Sequence, residues 1–152
     1  MKQIKFNQTF IIMFTLITLG VTAFSFTSKF GLDSYEISLN NKVILKHYVN
    51  QPLNLRVLQL NKAKEGDQLG IRYTHCTIKD GAGTARSISV KDEKGNTLKK
   101  WAFADATGSN FNMIIAVNDL LKLEKAHTGQ DLSIHYSARE LPEGEMLSML
   151  KL

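Results

Sequence analysis

The sequence predicts a mainly β protein, an antiparallel β-sandwich of seven to eight strands with one short helix. Three observations predict it. From Asp33 onward apolar and polar residues alternate with a period of two, the pattern of half-buried strands. Turn-forming residues recur every ~8–12 positions, which is the spacing of a sandwich. Only one stretch, near Asn118 to Ala126, changes to helical spacing. A regular strand–helix alternation is absent, so a doubly wound parallel sheet is excluded.

Each element has its own signal. Tyr35, Ile37 and Leu39 alternate with Ser34, Glu36 and Ser38, and Val43, Leu45 and His47 alternate with Ile44, Lys46 and Tyr48. Asn40-Asn41 joins the two runs into a hairpin, because Asn tolerates the left-handed φ of a tight turn. Gln51-Pro52 breaks the second strand, and Leu53 to Leu60 is another extended run. Lys64 to Asp67 is a turn. Leu69, Ile71, Tyr73 and His75 then fall on one face of a half-buried strand. Asp80 to Gly83 is a flexible loop. Arg86, Ile88 and Val90 pair with Leu98 to Ala104 across Asp92 to Asn96, a second hairpin.

Phe111 to Val117 reads as a strand apolar on both faces. Asn118 is placed to cap a helix running through Asp119 to about Ala126, with Leu120, Leu121 and Leu123 as its apolar side and Gly129 as its stop. Leu132, Ile134 and Tyr136 alternate with Ser133, His135 and Ser137. Leu141-Pro142-Glu143-Gly144 has the composition of a turn, and Met146 to Leu152 is a closing apolar strand.

The first segment reads differently. Lys2 and Lys5 precede the uncharged apolar run Phe10 to Phe24, and Ala23 and Ser25 supply small residues two apart. This is the layout of a secretory signal peptide over residues 1–25, cleaved after Ser25. Residues 26–31 form a short N-terminal segment and 32–152 the β-sandwich domain. The expected location is periplasmic or secreted. The alternative is an uncleaved segment that anchors the protein in a membrane, since the uncharged stretch approaches the ~20 residues of a span.

Charge excludes one class of partner. The full chain of 152 residues carries a net +5, but losing Lys2 and Lys5 takes 19 basic residues to 17 against 14 acidic ones, a balance of +3. Charges of both signs are interspersed (Lys62, Lys64, Glu65, Asp67), a solvated surface and not a phosphate-tracking stripe. Nucleic acid is therefore not an expected partner. The single cysteine excludes an internal disulfide.

Catalytic signatures are missing from the sequence. Gly-x-Ser-x-Gly and His-Glu-x-x-His do not occur, and the Asp80-Gly81-Ala82-Gly83-Thr84 loop lacks the Lys-Ser/Thr of a phosphate loop. The four histidines lack ligand spacing, so no metal and no cofactor is expected. His75 and Cys76 are adjacent and point to opposite faces of a strand, so any base for Cys76 has to come from elsewhere, such as His47 or His135. Trp101 and Phe103 share a face of the second hairpin, as core or as an aromatic platform for a ligand such as a sugar. Met146, Leu147, Met149 and Leu150 close the sandwich or pair with another protein's sheet.

The layout of signal, hairpins, Leu-rich short helix and Leu132-Ser133-Ile134-His135-Tyr136 resembles small exported β-sandwich proteins of bacterial envelopes. The resemblance implies an immunoglobulin-like fold and carries over no functional residue. The Cys…Trp…Cys pattern of immunoglobulin domains is not met, because Cys76 stands alone. The expected function is that of an exported non-catalytic module binding another envelope protein or a surface glycan, contacted through residues among Trp101, Phe103, His75, Cys76, Met146, Leu147, Met149 and Leu150. The alternatives are a small hydrolase or thiol enzyme using Cys76 and a histidine, and a structural subunit that assembles through its C-terminal strand.

Overall fold

The computed structural model describes residues 31–106 and 111–151. The predicted signal segment, residues 1–25, lies outside the described residues. Residues 32–152 form one compact unit. Its elements in order are β1 (Ser34–Leu39), β2 (Lys42–Tyr48), a 3-10 turn (Leu53–Leu55), β3 (Val57–Gln59), β4 (Gln68–Thr74), β5 (Ser87–Lys91), β6 (Thr97–Ala102), β7 (Met113–Ala116), α1 (Val117–Ala126), β8 (Leu132–Ala138) and β9 (Leu141–Lys151). The protein is mainly β, with two open sheets. One has the order β2-β1-β4-β7 and the other β3-β9-β8-β5-β6.

Both sequence-predicted hairpins form. β1 and β2 pair around Asn40 and Asn41, whose φ values of 48° and 67° are the left-handed geometry a tight hairpin needs. β5 and β6 pair around Asp92 to Asn96, where the Asp92 carboxylate accepts bonds from the Lys94 and Asn96 backbone N–H groups. The two sheets share one core. Ile37, Leu69, Ile71, Met113 and Ile115 enter it from the four-stranded sheet, and Ile88, Val90, Ile134 and Leu147 from the other. The helix adds Val117 and Leu120, both fully buried. Each such side chain removed from water contributes roughly 1.5–3 kcal/mol.

The structure corrects five details. The described residues hold nine strands, not seven or eight, and within the run Leu53 to Leu60 only Val57–Gln59 is strand, after a 3-10 turn. The sheets are not wholly antiparallel, since β3 runs parallel to β9 through Val57, Leu58 and Gln59 opposite Met149, Leu150 and Lys151. β7 is buried on one face only. It is the edge strand of a sheet packed on one side, and strand alternation sends Met113 and Ile115 into the core and leaves Ile114 exposed.

The helix begins at Val117 without an Asn118 cap. The Val117 N–H is bonded to the Asp67 carbonyl and its side chain is buried, so packing fixes the start where propensity favoured a later one. Finally, Leu141 to Gly144 is strand and not turn. β8 and β9 turn one step earlier, at Arg139-Glu140, and the pairing slips between Tyr136 and Ala138. Gly144 absorbs the irregularity at φ 75°, where a Cβ would lie 2.9 Å from the Tyr136 carbonyl oxygen.

Candidate functional site

A polar cluster at the core joins Asp33, Tyr73, His75 and Tyr136. β4 alternation turns Tyr73 and His75 inward together, as the sequence predicts, and β8 brings Tyr136 from the other sheet. The rings of Tyr73 and Tyr136 stack with centroids 4.1 Å apart and planes 12° from parallel. His75 is 4% exposed, with Nδ1 3.2 Å from Asp33 Oδ2 and Nε2 3.0 Å from the Tyr136 hydroxyl. Tyr73 donates its hydroxyl to the same Asp33 oxygen at 2.9 Å. With the proton on Nδ1, Nε2 accepts from the Tyr136 hydroxyl while Nδ1 lies in ion-pair range of the carboxylate.

Electrostatics fits a fixed carboxylate. Burial acts to raise the Asp33 carboxyl, yet the Cys76 N–H, the Cys76 thiol, the Tyr73 hydroxyl and His75 together hold it below the usual carboxylate range. Burial pushes the phenols of Tyr73 and Tyr136 well above the ordinary tyrosine range. Gly83 closes over the cluster. A Cβ there would sit 2.6 Å from the Tyr136 hydroxyl and 2.8 Å from His75 Nε2, so only glycine fits.

Cys76 is exposed and donates its backbone N–H to Asp33 Oδ1 at 2.8 Å. The Asp33 carboxylate pushes its thiol pKa up, with burial adding to the effect. A nucleophilic cysteine needs the opposite shift, since the thiolate is the reactive form. His75 has both ring nitrogens engaged by Asp33 and Tyr136, neither of them by the thiol. The chemistry of this cluster is therefore that of a buried inter-sheet tie.

The other histidines are apart from it. His47 is half-buried on β2 with its ring edge-on to Tyr35 at 6.2 Å. His127 follows α1 and lines a cleft of about 310 Å³ with Glu124 and Lys151. His135 lies on β8 with Nε2 3.0 Å from the Ser133 hydroxyl. Burial lowers its pKa to about 4 and Lys91 acts in the same direction. A folded-state value depressed from 6.5 means that the unfolded chain binds the proton first on acidification. Stability is then full above about pH 6.5 and declines as pH falls toward about 4. His135→Gln is expected to flatten that limb in urea denaturation series at successive pH values, and an unchanged profile would contradict it.

Trp101 and Phe103 are half-buried and pack against the core. The Trp101 indole N–H reaches Asp119 Oδ2 at 3.4 Å, and Lys99 Nζ sits 5.0 Å from its ring centroid. In β9, Leu147 and Leu150 are buried while Met146 and Met149 are half-buried. That strand lies between β8 and β3 in its own sheet.

Sequence reasoning missed Asp33, Tyr136 and Arg56 as organising residues. Asp33 stood at the edge of the first strand and Tyr136 passed as an ordinary core aromatic. The signal for the tie was the register of Tyr73 with His75, which carries two polar tips into one core. Arg56 gave no signal, because two of its partners, Glu145 and Met146, lie ~90 positions away along the chain and the other two are backbone carbonyls. Among the described residues no group of three His, Cys, Asp or Glu could hold a metal ion, and no helix is long and apolar enough to cross a membrane. No protein-family model, curated protein or solved structure matches this chain.

Proposed function

We propose that the chain is an exported, non-catalytic module with an immunoglobulin-like sandwich, and that it binds another envelope protein. The two sheets around a shared core support the sandwich. The N-terminal Lys–apolar–small pattern supports export. The engagement of His75, and of Cys76 through Asp33, in internal bonds supports a non-catalytic role.

One observation carries the binding reading. Among the described residues, four of the seven exposed large apolar side chains (Leu32, Tyr48, Leu53 and Leu55) belong to chain segments that meet at one end of β1 and β2. There Ser34 pairs with Tyr48, and Val49 donates to the Asp33 carbonyl. Exposed apolar groupings of this kind mark interaction surfaces, and an exposed tyrosine is a common energetic anchor. The segment is also held rigid from beneath. Buried Arg56 donates to the carbonyls of Val49, Gln51 and Met146, so little conformational freedom is left to lose on binding.

A photo-crosslinking residue at Leu55 in the native host, compared with one at Gly95 in the β5–β6 turn, tests this. A discrete crosslinked envelope protein is expected from position 55, weakened by Tyr48→Ser and absent from position 95. Equal or no crosslinking at both positions would overturn the reading.

A further inference from the structure

A second surface lies on the outer face of the four-stranded sheet, separate from the apolar end. A cleft of about 210 Å³ crosses β2, β1 and β4, with Glu36, Ser38, Asn41, Val43, Arg72 and Asn112 on its walls and Gly70 in its floor. We propose that this cleft binds an acidic sugar unit, a ring bearing hydroxyls and one carboxylate.

Four features support the assignment. Gly70 interrupts the middle of β4, where glycine weakens a strand and marks a place that something approaches closely. A Cβ there would lie 2.6 Å from the Ser38 hydroxyl and 3.4 Å from Ile114 Cδ1, so glycine keeps the floor low. Arg72 supplies charge. Its guanidinium lies 5.1 Å from the Phe111 ring centroid and has no carboxylate partner among the described residues. The neighbouring Glu36 is already paired with Lys46 at 2.5 Å, so the cleft retains a positive charge from a group suited to bidentate carboxylate recognition.

The third feature is Asn41. The second position of this turn, at φ 67°, favours glycine, yet an amide side chain is kept there. Asn40 next to it is occupied, its side chain bonding Asp67 and the Gln68 N–H, whereas the Asn41 amide makes no bond to a described residue and lines the cleft. Asn112 gives a second amide on the facing side. The two amides can both donate to and accept from sugar hydroxyls, the guanidinium donates only, and the Ser38 oxygen, whose proton goes to the Gly70 carbonyl at 3.2 Å, is left to accept. The fourth feature is Val43, about half exposed, an apolar wall for the C–H face of a ring.

Calorimetry and backbone NMR titration of the purified protein with galacturonate oligomers, and with neutral galactose oligomers of equal length, test the site. The acidic oligomer is expected to bind at least ~10-fold tighter than the neutral one and to shift the amides of β1, β2 and β4. Arg72→Met, which keeps the length of the stem, is expected to remove that preference. Asn41→Gly suits the turn backbone and is expected to weaken binding several-fold with no loss of stability. No binding of the acidic oligomer, equal binding of the two oligomers, or unchanged affinity in Arg72→Met would each overturn the proposal. Crosslinking at Leu55 is unaffected by any of these outcomes, so the two readings fail separately.

Discussion

Arg56→Met is expected to lower the unfolding free energy by about 3–5 kcal/mol. Arg56 is 3% exposed and ties three segments together. Its Nη1 donates to Glu145 Oε1 at 2.6 Å and to the Met146 carbonyl at 2.8 Å, its Nε to the Gln51 carbonyl at 2.9 Å, and its Nη2 to the Val49 carbonyl. Methionine fills much of the same space and supplies no donor. Three carbonyls and a half-buried carboxylate then lose their partner, and unsatisfied buried acceptors are more expensive than a missing contact. Lysine is expected to recover little, because its single ammonium cannot serve acceptors in four directions. Urea denaturation measures the effect, and a loss under ~1 kcal/mol would show that the arginine is incidental to the fold. The nearby backbone explains why the effect is concentrated. β3 pairs with β9 over only three residues, and Arg56 adds a link from the Val49 and Gln51 carbonyls to β9.

Tyr136→Ala is expected to cost about 3–5 kcal/mol, the range for deleting a fully buried aromatic ring. The ring is stacked on Tyr73 and reaches across from one sheet to the other, so the vacated space is bordered by rigid strands that cannot collapse into it. Tyr136→Phe separates ring from hydroxyl. It keeps the packing and leaves His75 Nε2 without its partner in a site from which water is excluded, a loss of about 1–3 kcal/mol. Denaturation of both variants under the same conditions isolates the polar tie as the Phe effect alone. A Phe variant as stable as the parent would mean that the hydroxyl contributes nothing, and the Asp33–His75–Tyr136 alignment would then be a consequence of packing.

The two predictions differ in how far the sequence foreshadows them. The inward register of Tyr73 and His75 is legible, because strand alternation is a local property that needs no knowledge of the partner strand. That Tyr136 is the group they meet is not legible, since the alternation of β8 says only that it faces inward. The same division holds for the aromatic pair at the end of β6, Trp101 within it and Phe103 just after it. Alternation places Trp101 and Phe103 on one face, and the structure shows that face half-buried against the core. The turn expected at Leu141 to Gly144 failed because its composition was weighed without the neighbouring strand. Those residues lie in a stretch of β9 that β3 does not reach, where Pro142 and a positive-φ Gly144 are tolerated.

The amino-acid sequence by itself determined the mainly β class, the two hairpins, the helix after β7 and the inward residues of most strands. All of these depend on interactions within a few residues along the chain, through alternation, turn chemistry and apolar spacing. Only the tertiary structure decided the strand order, the parallel β3–β9 pairing, the Arg56 attachment, the cross-sheet tie and the cleft over Gly70. Each of these joins residues far apart in sequence. A local pattern says which face a side chain takes, whereas its partner is set by which strands the shared core brings together.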